Sequence, residues 1–167
     1  LFKSNKNIQM IDVGSHAGSW TLPFCKYYEN SNSLCFEAYK YYYDVFKILI
    51  KFYPFYKISC YNVAVLDEEK FVHLNYKDLS TDKLLTGQNF VSESYIEKFS
   101  SQKVKGKYLD SYISHLNNLK YIKIDIEGAE LLALKGSKNI ILKFKPIIIF
   151  EYYEDYAKRF NYNFNDL

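Results

Sequence analysis

Short, nearly uninterrupted apolar runs alternate along this chain with segments of helical spacing, and the runs end in glycine or an acid. Ile8 to Val13, Leu34 to Glu37, Lys57 to Val65, Tyr121 to Ile126 and Ile147 to Glu151 read as strands. Ser19 to Tyr28 and Tyr39 to Phe52 read as helices, the second closed by Pro54, and a third follows Ile126 and stops at Gly136. Strands apolar on both faces and joined by helices belong to a mostly parallel sheet covered on both sides, a doubly wound α/β fold. Such sheets bind ligands beyond the carboxyl ends of their strands. Asp12 with Gly14, Glu37, Asn62, Asp125 with Glu127, and Glu151 cluster there, so a ligand site is expected at that edge.

The rest of the chain frames this core. With 167 residues, 49% hydrophobic and 25% charged, a single domain is expected over 1–167, with its core at 8–151. Lys70 to Tyr76 and Val104 to Leu109 look like strands of an excursion. Between them, 77–102 is rich in Ser, Thr, Asn and Lys and reads as a polar insertion or lid. Asp110 is placed to cap a short helix, and the tail 157–167 shows no pattern. Because the chain begins with Leu and enters a strand at once, a fragment lacking its N-terminal flank is expected.

Composition narrows the function classes. The net charge is +3, and every basic residue except Arg159 is a lysine. Sequence-specific base readout and bidentate phosphate clamps favour guanidinium, so no nucleic-acid partner is expected. The 18 tyrosines and 13 phenylalanines read as core and half-buried surface rather than base-stacking platforms. Cys25, Cys35 and Cys60 suggest neither a disulfide framework nor a zinc site, which points to a reducing, cytoplasmic setting. No apolar run approaches the ~20 residues of a spanning helix, and Leu1 to Gln9 lack a signal-peptide core, so no membrane role is expected.

The first turn discriminates between cofactors. A dinucleotide site wants G-x-G-x-x-G, whereas this turn holds only Gly14 and Gly18, with Asp12 just before. That spacing lets a backbone approach a ligand without cradling a diphosphate, and an acid at Asp12 would repel phosphate and suit a cationic amino-acid moiety. S-adenosyl-L-methionine has that moiety and no phosphate. Glu37, ending the second strand, has the chemistry to accept both ribose hydroxyls. An NAD-dependent oxidoreductase fails on the glycine spacing.

These residues resemble the FkbM methyltransferase family. The resemblance rests on Ile11-Asp-Val-Gly-Ser-His-Ala-Gly18, Cys35-Phe-Glu-Ala38, Asn62-Val-Ala64, Tyr108-Leu-Asp110, Ile122-Lys-Ile-Asp-Ile-Glu-Gly-Ala-Glu130, Leu134-Lys-Gly136 and Pro146 to Glu151. It implies a Rossmann-like class I methyltransferase fold, S-adenosyl-L-methionine as donor, and O-methylation of a sugar or other small hydroxyl-bearing metabolite. Asp12, Gly14, Ser15, His16, Gly18, Glu37, Ala38, Asn62, Val63 and Asp125 are the expected cofactor-binding residues. Ala38 stands where many members carry proline. His16 sits in the cofactor loop, where shaping the loop or touching the donor's carboxylate is favoured over acting as a base. The final antiparallel strand pair usual in class I enzymes is expected to be truncated, which keeps open a degenerate domain that binds donor without turnover. An RNA ribose is the runner-up acceptor.

For chemistry, Asp125 and Glu127 are the expected catalytic pair. Alternation places Lys123 and Asp125 on one side of their strand, and Glu127 follows just before Gly128, where it can be aimed at an acceptor. The alternative assigns Asp125 to the donor and Glu127 to the N-terminus of the next helix. No spacing requires a metal, and a divalent ion on Asp125 and Glu127 is the less favoured reading.

Overall fold

The computed structural model describes residues 7–167, so the expectation for Leu1 to Lys6 lies outside the described residues. Gln9–Val13 forms β1, buried at every position, followed by α1 (Thr21–Tyr27), β2 (Asn32–Phe36), α2 (Lys40–Ile50) and β3 (Lys57–Tyr61). After an excursion come β9 (Leu119–Ile124), α3 (Glu130–Lys135), α4 (Lys138–Phe144) and β10 (Ile147–Phe150). These five strands are all parallel, in the order β10-β9-β1-β2-β3. From β1 the chain winds one way to β3, and from β9 it winds the other way to β10. The reversal opens a crevice at the carboxyl ends of β1 and β9, as a doubly wound sheet requires.

Two apolar layers hold the sheet. One face packs Ile11, Leu34, Phe36, Ile122 and Ile124 against Ala133 and Ile140 of α3 and α4. The other sets Cys35 and Cys60, register partners on β2 and β3, against Phe46 of α2. All three cysteines are free and buried. No helix among the described residues is long and apolar enough to cross a membrane.

The excursion is a second sheet. It comprises β4 (Ala64–Val65), β5 (Phe71–Asp78), β6 (Lys83–Leu84), β7 (Phe90–Ser92) and β8 (Phe99–Lys107), antiparallel except where β4 lies alongside β8. The polar stretch 77–102 therefore carries β6, β7 and the first part of β8. The run expected as one strand from Lys57 to Val65 divides between the sheets. Asn62 makes the break by donating its Nδ2 to the carbonyls of Glu37 (2.8 Å) and Ala38 (3.0 Å).

Two long-range devices replace local ones. Asp110 was expected to cap the segment that follows it, a 3-10 turn over Leu109–His115; its carboxylate instead accepts the N–H groups of Asn139 and Ile140 (both 2.9 Å), capping α4. Gly136 ends α3 at an ordinary φ of −73°, because a Cβ there would lie 2.1 Å from the Leu66 carbonyl oxygen. After β10 the chain enters α5 (Glu154–Ala157) and two 3-10 turns rather than an antiparallel strand pair. The tail, patternless in sequence, is built: Ala157 and Tyr162 are buried.

Candidate functional site

Beyond β1 the chain must turn sharply under β9, and Gly14 makes this possible. Its φ is +74°, and a Cβ there would sit 1.9 Å from the Asp125 carbonyl oxygen. Either fact alone favours glycine; together they demand it. The turn is pinned on three sides. The N–H groups of Gly14 and Ser15 both donate to the Phe36 carbonyl, and Lys123 Nζ donates to the Gly14 carbonyl at 2.7 Å. His16 adopts φ +50° and donates its N–H to Glu37 Oε2 at 2.7 Å, while Tyr39 N–H donates to Oε1 at 2.8 Å. The Glu37 carboxylate is thus oriented by backbone, one bond per oxygen, with lone pairs to spare. Burial pushes its pKa up to about 7 despite those two donors.

A cavity of about 390 Å³ opens at this edge. Gly14, His16, Glu37, Ala38, Val63, Asp125 and Glu127, all expected site residues, line it together. Its other walls are Trp20, Tyr42 and Lys123 on one side and Val65, Leu74 and Val91, contributed by β4, β5 and β7, on the other. The His16 ring lies over Tyr42, with centroids 3.6 Å apart. Burial, then the Lys123 charge, pushes the His16 pKa below its usual value.

Four expected cofactor residues lie behind this wall instead. Asp12 is fully buried, with Oδ2 accepting from Thr21 Oγ1 at 2.6 Å and Oδ1 3.4 Å from Lys123 Nζ. Its burial raises its pKa, with Lys123 and Thr21 opposing. Ser15 is buried within the turn. Gly18 exists for packing: at φ +86°, a Cβ would meet the Phe46 ring at 2.2 Å. Asn62 holds the backbone after β2, as described above.

The turn after β9 concentrates the acids. Asp125 continues the β9 ladder, its N–H donating to the Val13 carbonyl, and its Oδ2 lies 3.4 Å from Lys123 Nζ. Glu127 is held at φ +60°, a left-handed conformation unusual for glutamate, and its Oε2 is buried without a hydrogen-bond partner. Burial, with repulsion from Asp125, Glu151 and Glu130, pushes Glu127 up to about 7.

Glu130 locks this geometry. Its Oε1 accepts the N–H groups of Ile126 (3.1 Å) and Gly128 (3.2 Å), and its Oε2 accepts the Tyr162 hydroxyl (2.9 Å). Gly128, at φ +111°, leaves room for the Tyr156 carbonyl, 2.5 Å from where a Cβ would be. Arg159 donates to the Glu127 carbonyl at 3.3 Å and stacks between the rings of Phe90 and Tyr156, 4.3 and 4.4 Å from their centroids. The tail and the second sheet therefore brace the turn that carries Glu127.

Sequence reasoning placed Glu151 at the ligand edge without assigning it to cofactor or chemistry; its carboxylate joins those of Asp125 and Glu127 with oxygens within 4.8 Å of one another. Its signal was an acid directly after an apolar strand. Lys123, considered only as a partner for an acid, is 5% exposed and forms part of the cavity wall. Tyr162 and Arg159 carried no local signal.

No match was found among curated proteins or among solved structures. The family model described as the methyltransferase FkbM domain matches residues 12–167. It takes in the last two residues of β1, every later strand of the parallel sheet and every cavity residue described above, so this methyl-transfer enzyme belongs to the FkbM methyltransferase domain family.

Proposed function

We propose that this chain is an S-adenosyl-L-methionine-dependent O-methyltransferase of the class I winding, acting on a hydroxyl of a sugar or other small metabolite. The carrying observation is the Glu37 carboxylate, presented to the cavity by two backbone N–H groups opposite a glycine turn that nothing larger could form. The residues fit the donor. Glu37 offers paired acceptors for ribose hydroxyls, Gly14 allows close backbone approach, and Val63, Val65 and Leu74 offer apolar surface for a base. With Asp12 behind the wall, the acid on the cavity side suited to the donor's ammonium is Asp125, while Lys123 suits its carboxylate.

When bound, the donor supplies a sulfonium methyl group; the acceptor oxygen bonds to that carbon as the carbon–sulfur bond breaks, its electron pair passing to sulfur. The chain's contribution is chiefly alignment, which can supply ~7–11 kcal/mol of such a barrier. Glu127 stands at the cavity with its pKa pushed up to about 7, which suits it to take the acceptor's proton, assistance of about 10²–10⁴-fold. Leu74 and Val91 give the cavity an apolar wall, which disfavours water beside a bound donor.

Calorimetry of the purified chain with S-adenosylhomocysteine and with NAD tests the donor assignment; equal or tighter NAD binding overturns it. Donor affinity and turnover measured separately for Asp125→Asn and Glu127→Gln test the roles. Asp125→Asn should lose both together, and Glu127→Gln should keep donor affinity while turnover falls. The acceptor is expected not to be a nucleic acid, since the single arginine is stacked between Phe90 and Tyr156. Tight, salt-sensitive RNA binding would make an RNA ribose the acceptor instead.

A further inference from the structure

We propose that Asp125, Glu127 and Glu151 form a binding site for one hard divalent cation of the magnesium class at the carboxyl edge of the sheet, beside the cavity. The three come from separate positions of the fold: the end of β9, the turn beyond it and the end of β10. Their carboxylates nevertheless converge, with donor oxygens within 4.8 Å of one another. Oxygens bound to one magnesium, manganese or calcium ion at about 2.0–2.6 Å stand at most roughly 4–5 Å apart across it. The cluster therefore needs little movement to close on an ion. An all-oxygen, all-carboxylate donor set suits hard cations such as magnesium, manganese and calcium and lacks the nitrogen and sulfur ligands usual for zinc or copper.

The second observation is Glu127 itself. The residue is 9% exposed, and its Oε2 is buried with no hydrogen-bond donor in reach. A carboxylate oxygen buried in this way costs free energy unless something positive meets it. Neither Glu127 nor Glu151 makes an ion pair with any lysine or arginine among the described residues. The nearby ammonium, Lys123, is committed elsewhere. It donates to the Gly14 carbonyl and lies 3.4 Å from both Asp12 Oδ1 and Asp125 Oδ2, so its one charge is shared among three partners. Three protein oxygens leave coordination positions for water and for an acceptor hydroxyl, whose acidity the ion would increase. That use of the ion rests on the methyltransferase reading; the binding site does not.

The test is manganese titration of the full chain, read by loss of the free-ion electron paramagnetic resonance signal, with magnesium and calcium as competitors. One saturable site per chain is expected, displaced by magnesium and weakened at least tenfold in Glu151→Gln and in Glu127→Gln. Glu93→Gln, which alters an exposed carboxylate remote from the cluster, should bind as the parent does. No saturable binding, or unchanged affinity in both cluster variants with thermal melts confirming that they fold, overturns the site. Calorimetry with S-adenosylhomocysteine in chelator, run in parallel, separates this failure from failure of the donor assignment.

Discussion

Tyr162 and Glu130, 32 positions apart, meet in the interior: the tyrosine hydroxyl donates to Glu130 Oε2 at 2.9 Å, while Oε1 holds the backbone of the Glu127 turn. Tyr162→Phe keeps the ring and deletes the donor, leaving a buried carboxylate oxygen short of a partner. A stability loss of about 1–3 kcal/mol is expected in urea unfolding. Because the lost bond supports the turn, kcat should fall more than donor affinity. A variant with parental kcat would show that the turn stands without the tail.

Gly14 and Gly87 offer a controlled comparison. Both have φ near +75°, yet a Cβ at Gly87 meets nothing within 4 Å, whereas at Gly14 it collides with the Asp125 carbonyl. Gly87→Ala should cost only left-handed strain, ~1–2 kcal/mol. Gly14→Ala should cost more and abolish donor binding, by calorimetry and thermal melts. Equal penalties would mean that the strand ends separate easily.

Glu37→Gln should weaken donor binding roughly ten- to hundredfold, the equivalent of one charge-assisted hydrogen bond at ~1.5–3 kcal/mol. An amide would also set a donor NH₂ group against the N–H of either His16 or Tyr39. Some loss of stability should accompany the loss of affinity, and unchanged affinity would place the ribose elsewhere.

Glu37 also sets a pH dependence. Its pKa is raised from the usual 4.5 to about 7 in the fold, so the folded state binds the extra proton between those values. The ligand-free chain should therefore be more stable near pH 5 and lose that increment as pH rises through 7. Donor binding runs oppositely, strengthening as pH rises through about 7, because ribose hydroxyls prefer the ionised carboxylate. Calorimetry across pH 5.5–8.5 checks both signs; Glu37→Gln should flatten the binding profile and reduce the slope of the stability profile, to which Glu127, also raised to about 7, contributes with the same sign.

The parallel sheet was legible because β1, β2, β9 and β10 are apolar on both faces, which few other structures permit. Gly14 and Glu37 were legible because the carboxyl edge of such a sheet needs a sharp turn and a polar terminus. The direction in which Asp12 faces was not. A strand alternates faces, but the residue names do not reveal whether the cavity or α1 lies on a given side, and Thr21 took Asp12 to the α1 side. Gly18 looked like a ligand-approach glycine, yet its partner is Phe46, 28 positions later in the chain. The second sheet was obscured because much of it is half-exposed and built from Lys, Ser and Asn. Asp110, Arg159 and Tyr162 act on partners about 30 positions away, beyond any local pattern.

The brace on Glu127 also bears on when the site forms during synthesis. The donor loop needs only β1, β2 and β9, whereas the strained turn is tied down by groups at 156–162. A nascent chain that has emerged as far as β10 can hold its donor loop in place while the acidic turn is still unsupported. The braced acidic turn thus arrives after the glycine turn, and a protease cutting just beyond β10 would separate the two again.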